Sequence, residues 1–91
     1  MGVTIKVPSH LRRVIDSDTV TVVEGQTVLE CLSNFVRRYP GLKNTIFDSD
    51  NRVLLHWMIY VNDRPILRSS RLAYPVKSND IISLFPIVAG G

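Results

Sequence analysis

The sequence predicts one α+β domain, with a mixed sheet of four to five strands around one main helix. Three observations predict it. The chain opens with two strand-like segments, at 3–7 and 19–23. A single helix-period segment follows at 27–39. The later apolar runs, at 54–61, 66–67 and 81–85, are short and separated by turn residues. Strands, then one helix, then more strands is an α+β order, whereas repeated βαβ units would place a helix at every crossover. The 91 residues fit one domain with a small core. A hydrophobic fraction of 45% with 21% charged residues is an ordinary globular balance and excludes disorder.

Val3, Thr4, Ile5, Lys6 and Val7 alternate apolar and polar, the period of a half-buried strand. Pro8 stops this strand or leaves it at an edge. Residues 19–23 are rich in β-branched side chains, and the two strands can pair as a long hairpin. Glu24 and Gly25 then break the pattern. Thr27 with Glu30 three residues later forms a T-x-x-E capping box before an apolar run. Val28, Leu29, Leu32, Phe35, Val36 and Tyr39 recur at helical spacing, so one face should bury. Arg37 and Arg38 suit the negative end of the helix dipole, and Pro40-Gly41 ends the helix.

Residues 42–53 read as the least regular segment, with Ile46 and Phe47 anchoring a loop on the core. Residues 54–61 form a nearly continuous apolar run, read as an interior strand. Asn62-Asp63-Arg64-Pro65 is a turn, and Ile66-Leu67 a short return strand. Lys77-Ser78-Asn79-Asp80 is another turn, in which Asn tolerates the left-handed conformation. Residues 81–85 form the last strand, and Pro86 should end its ladder. The order ββαβ(β)β matches a β-grasp domain over 1–91, with 85–91 as an extended, flexible C-terminal tail. Composition alone does not separate this from other small α+β folds.

The formal charge is +3, with cations scattered over Arg12, Arg13, Arg37, Arg38, Arg64, Arg68, Arg71 and Lys77. Nucleic-acid readers carry a denser basic stripe interleaved with stacking aromatics, so no nucleic-acid partner is expected. The one cysteine, Cys31, excludes an internal disulfide and reads as a small buried hydrophobe. Residues 1–10 lack the apolar core of a signal peptide, and no apolar run approaches the ~20 residues of a membrane span. A cytoplasmic location without membrane attachment is the expectation. His10 and His56 have no accompanying ligand cluster, so no metal is expected. Asp16-Ser17-Asp18 and Asp48-Ser49-Asp50 lack the glycine and distal glutamate of a calcium loop and read as turns. Gly25 and Gly41 are isolated, which leaves no phosphate-binding loop. No nucleophile–base pair emerges, so the chain is not expected to be an enzyme.

The chain ends Phe85-Pro86-Ile87-Val88-Ala89-Gly90-Gly91, apolar and then without side chains. Free termini are ordinarily polar and frayed. Two glycines give this tail free dihedrals and a minimal cross-section, which suit a narrow channel in another protein. The segment 81–91, IISLFPIVAGG, resembles the end of the molybdopterin-synthase small subunit and the thiamin-type carriers, the MoaD/ThiS-type ubiquitin-like sulfur carriers. The resemblance extends to Ile59-Tyr60-Val61-Asn62-Asp63. Ser78-Asn79-Asp80 stands where the family often has Asp-Gly-Asp, and Ile87 where it often has a second proline. The longer 42–53 segment is more like the relatives that serve cysteine synthesis.

The resemblance implies that Gly91 is the reacting residue. An E1-like enzyme would use ATP and Mg to adenylate its carboxylate, and a persulfide or sulfide would then replace AMP. The resulting thiocarboxylate would donate sulfur in molybdopterin, cysteine or thiamin-type biosynthesis. Gly90, Ala89 and Val88 would pass through the partner's channel, and Phe85, Pro86 and Ile87 would dock beside it. The implied partners are the adenylating enzyme, a sulfur-accepting synthase or large catalytic subunit, and a sulfur donor such as a desulfurase or rhodanese. No cofactor would be bound beyond the covalent sulfur at Gly91. Two alternatives stand beside this reading: a ubiquitin-like modifier conjugated through Gly91, and a non-catalytic interaction domain.

Overall fold

The alternation in the first strand decides which way the sheet faces. In the computed structural model, which describes residues 2–8, 11, 20–67 and 72–87, strand β1 (Val3–Lys6) turns Val3 and Ile5 inward and leaves Lys6 exposed. Strand β2 (Val20–Val23) pairs with it antiparallel, Val3 opposite Val23. The connection between them, with Arg12, Arg13 and Asp16-Ser17-Asp18, lies outside the described residues, as does His10. Helix α1 (Val28–Arg38), a 3₁₀ turn (Pro40–Leu42) and a short helix α2 (Lys43–Ile46) follow. Strands β3 (Trp57–Val61), β4 (Arg64–Pro65) and β5 (Ile81–Pro86) complete a five-stranded sheet in the order β2-β1-β5-β3-β4. The last strand lies in the middle, parallel to β1 and antiparallel to β3. This is the mixed β-grasp sheet expected from the sequence.

Helix α1 begins where its cap chemistry places it. Thr27 Oγ1 accepts a hydrogen bond from the Glu30 amide at 3.1 Å. Glu30 Oε1 accepts from the Gln26 amide at 2.9 Å, one residue earlier than in an ideal capping box. The helix buries Val28, Cys31, Leu32, Phe35 and Val36 and ends at Arg38. Arg38 reaches across to the Val22 carbonyl at 3.0 Å and ties the helix end to β2. Gly25 precedes the helix with φ +157°, and a Cβ there would sit 2.6 Å from Cys31 Sγ and 2.9 Å from its amide nitrogen. The approach of this loop to the helix therefore requires glycine.

Four elements differ from the sequence reading. Residues 42–53 hold a 3₁₀ turn and α2, whose few positions are too short to display a helical period. Ile46 and Phe47 are buried as expected. The rest of the loop is held by Asp48 Oδ1, which accepts from the amides of Asp50 and Arg52 at 2.8 and 3.0 Å. Strand β3 starts at Trp57, not at 54, because Leu55 and His56 form an exposed turn. An unbroken apolar run does not show where ladder pairing begins. Trp57 is buried, and its indole N–H donates to the Thr45 carbonyl at 2.9 Å.

The third difference is the return strand, Arg64–Pro65, which faces Val61 and Tyr60. Asn62 and Asp63 alone make the turn, with φ of 51° and 70°, the left-handed pair that matches a two-residue hairpin to strand twist. Pro65 is tolerated because β4 is the sheet edge. Of the expected return residues, Ile66 still donates its amide to the Ile59 carbonyl.

The fourth concerns Pro86, which pairs with Trp57 inside β5. The next residue, Ile87, donates to the His56 carbonyl at 2.6 Å. Amides alternate in direction along a strand, so the Pro86 nitrogen points to the opposite edge. There β1 has already ended, its register stopping at Ser83.

Asn62 also clamps two turns together. Its backbone amide donates to the Ile81 carbonyl, its Oδ1 accepts from the Ile81 amide, and its Nδ2 donates to Asp80 Oδ1 at 2.8 Å. Asp80 Oδ2 also accepts from the Lys77 amide. These bonds, the Asn62 side chain's first, hold the Asp80 carboxyl below the usual aspartate range. Asn79 takes φ 77°, the left-handed conformation expected of that turn.

Two consequences are measurable. Gly25→Ala should destabilise the fold by about 2 kcal/mol in urea unfolding, from strain at a positive φ and the clash with Cys31. The Asp80 contribution is present above the ordinary aspartate pKa and is lost as pH falls through the lower folded-state value. Acid unfolding of the wild type should therefore show a stability decrement that Asp80→Asn lacks.

Candidate functional site

Helix α1 covers one face of the sheet, and the alternation of β3 and β5 leaves the other bare. Trp57, Ile59 and Val61 of β3 and Ile82 and Leu84 of β5 are buried. Their neighbours Met58, Tyr60, Ser83 and Phe85 point the other way. Phe85 is 51% exposed and Met58, its cross-strand partner, 39%. The Tyr60 and Phe85 rings meet edge to face at 5.4 Å and 90°, a diagonal pair of the kind neighbouring strands permit. With Asp63 these residues line a shallow apolar depression.

The depression sits where β5 runs toward the terminus. Of the residues the sequence singles out, Phe85, Pro86 and Ile87 are exposed, and Ile87 holds the last described backbone bond, to His56. Val88, Ala89, Gly90 and Gly91 lie outside the described residues. The structure adds Met58, Tyr60 and Asp63, which sequence reading missed. Period-2 counting from Trp57 would have found Met58 and Tyr60, had the start of the strand been known.

The remaining candidates carry no chemistry of their own. Cys31 is fully buried, and burial first, then the Glu30 and Glu24 charges, push its thiol up to about 11. A thiol in that state is neither a nucleophile nor a metal ligand near neutral pH. His56 is exposed in the turn before β3, its ring 4.9 Å from that of Trp57. Among the described residues no cluster of His, Cys, Asp and Glu is able to hold a metal, and no helix is long and apolar enough to cross a membrane.

A five-stranded mixed sheet packed against helix α1, with its last strand in the middle, defines a small ubiquitin-like protein. The chain belongs to the ThiS family, whose model matches residues 5–91. It is 30% identical over 93 residues to the sulfur carrier protein CysO of Mycobacterium tuberculosis, covering 100% of both chains. It also matches the crystal structure of the Amycolatopsis orientalis BexX/CysO complex, with a TM-score of 0.84, 30% identity and coverage of 98% of this chain and 99% of that one. The solution structure of small archaeal modifier protein 1 from Methanosarcina acetivorans gives a TM-score of 0.83 at 25% identity, covering 98% and 95%. The chain is thus of the sulfur-carrier, ubiquitin-like type.

Exposure separates the two neighbours on β5. Phe85→Ala loses one edge-to-face contact and should cost about 1 kcal/mol or less. Leu84→Ala opens a core cavity and should cost about 3 kcal/mol. Urea unfolding of the two variants compares them directly.

Proposed function

We propose that the protein carries sulfur as a thiocarboxylate on Gly91 and donates it in cofactor or metabolite biosynthesis. One observation carries the reading: the central strand leads through exposed Phe85, Pro86 and Ile87, beside a bare apolar face, to the Gly-Gly end. On this reading the Gly91 carboxylate attacks the α-phosphate of Mg-ATP held by an E1-like enzyme, and pyrophosphate leaves. Sulfide then displaces AMP from the acyl-adenylate. Adenylation is needed because a carboxylate is a poor electrophile. The partner supplies the nucleotide site, and this chain supplies the docking face and the tail. Phe85, with Met58 and Tyr60 around it, has the form of an apolar anchor. Gly90 has no side chain, and those of Ala89 and Val88 are small enough for a narrow passage.

The recipient is a synthase that takes the tail into a pocket shielded from water. Molybdopterin and cysteine or thiamin-type pathways both suit this chemistry, and the likeness to a CysO sulfur carrier favours a CysO-like role. The likeness to a small archaeal modifier supports a second reading, in which Gly91 is joined to a target lysine through the same adenylate.

Intact-mass measurement after incubation with an E1-like enzyme, Mg-ATP and sulfide tests the proposal. Replacing one carboxylate oxygen by sulfur should add roughly 16 Da to the full-length chain, and nothing to a variant lacking Gly91. Phe85→Asp should weaken the reaction at least about tenfold while the fold stays intact, as truncating an interface anchor does. Absence of any gain with enzymes active on their own carriers would sink the carrier reading. Conjugates of higher mass in host cells, without a thiocarboxylate, would favour the modifier.

A further inference from the structure

The helix side of the domain carries a feature that the tail chemistry does not use. A groove runs along the flank of α1, lined on the helix by Leu29, Ser33, Val36 and Arg37 and on the opposite wall by Lys43 and Phe47. Positions 29, 33, 36 and 37 fall on one side of a helix. The inward face of α1 is occupied by Leu32 and Phe35, packed on the sheet side, so this stripe forms the helix shoulder. The chain turns back at Pro40, and Leu42, Ile46 and Phe47 anchor the next segment in the core. That segment therefore lies alongside α1 and supplies the second wall.

The floor of the groove is apolar and its rim is positive. Val36 and Phe47 belong to the core, and Leu29 packs against it only partly buried. Arg37 and Lys43 are exposed and rise from opposite walls, and among the described residues no carboxylate lines the groove. Among the described residues neither cationic side chain has a hydrogen-bond or ion-pair partner. Arg38, by contrast, is engaged by the Val22 carbonyl. Of the acids on the flanking segments, Glu30 accepts from the Gln26 amide and Asp48 from those of Asp50 and Arg52, while Asp50 is exposed and outside the groove lining. The unpaired charge over an apolar floor is thus left for an occupant from outside.

We propose that this groove docks an acidic, amphipathic segment of a partner protein. Its apolar side chains lie on Leu29, Val36 and Phe47, and its carboxylates sit between Arg37 and Lys43. The stripe from 29 to 37 rises about 12 Å, room for roughly two turns of a partner helix. The groove is on the helix side, whereas Met58, Tyr60 and Phe85 are on the bare sheet face. A partner can therefore hold the domain here while the tail end stays open to a second protein. The inference does not depend on the sulfur chemistry.

A titration of the ¹⁵N-labelled protein tests it. The probe is a synthetic amphipathic peptide of about 15 residues, long enough to form a helix, with Leu and Phe on one face and Glu and Asp on the other. The control peptide has Lys in place of the acids. Amide shifts should cluster at Ser33, Arg37, Lys43 and Asn51 with the acidic peptide and be absent with the control. The double variant Arg37→Glu, Lys43→Glu should bind the acidic peptide at least about tenfold more weakly, a loss in the range of exposed charge contacts. Ser33→Tyr, which fills the groove without changing charge, should do the same. Shifts centred on Met58, Tyr60 and Phe85, equal binding of both peptides, or no shifts at millimolar peptide would each overturn the proposal. So would groove shifts produced only by anionic lipid vesicles, or by self-association of the protein without peptide.

Discussion

The pairing of β5 between β1 and β3 is the constraint on which the rest of the structure depends. The last strand is bonded on both sides, to Thr4, Ile5 and Lys6 across one ladder and to residues 57–61 across the other. Its inward side chains, Ile82 and Leu84, are almost wholly buried. Withdrawing the strand would break two ladders and expose both side chains, so the base of the tail is as stable as the domain itself. The Asn62 clamp fixes where β5 starts, and the His56 carbonyl fixes how far the ladder extends. The described chain thereby ends at a fixed point, Ile87.

The second constraint is that helix α1 covers only one face of a five-stranded sheet. The face under α1 holds Trp57, Phe35, Ile5, Ile59 and Leu84 in one core. The opposite face keeps Phe85, Met58 and Tyr60 in reach of solvent. Exposed apolar clusters of this kind mark interaction surfaces more often than accidents of composition. Here the cluster adjoins β5 near the end of the described residues, so the proposed docking face and the proposed tail chemistry share one side of the molecule. The positive groove beside α1 lies on the other.

Much of this was legible from the residues. Thr27 and Glu30 placed the start of α1, the Pro40-Gly41 pair its end, and alternation in 3–7 the inward Val3 and Ile5. The Phe-Pro step and the segment after it carried the resemblance to the sulfur-carrier family that the comparisons bear out. Other features were not legible. The helical turns within 40–46 are too short for periodicity, and the apolar run at 54–61 hid the exposed Leu55 and His56 before Trp57. The turn at Asn62-Asp63 was recognised but drawn too long, so the return strand was displaced toward Ile66-Leu67. The positive φ values that shorten it belong to a backbone geometry that composition only hints at.

What the sequence by itself determined was local: which segments are strands, where the helix is capped, and which positions alternate. These follow from spacing and side-chain type within a few residues. What only the tertiary structure decided was adjacency. Nothing local says that β5 inserts between β1 and β3, that Asn62 clamps Asp80 and Ile81, or that Phe85 meets Tyr60 on the bare face. Nor does it say that Arg37 and Lys43 face each other across a groove. Each of these is a contact between distant parts of the chain, set by the requirement that the inward face of the sheet be buried against helix α1.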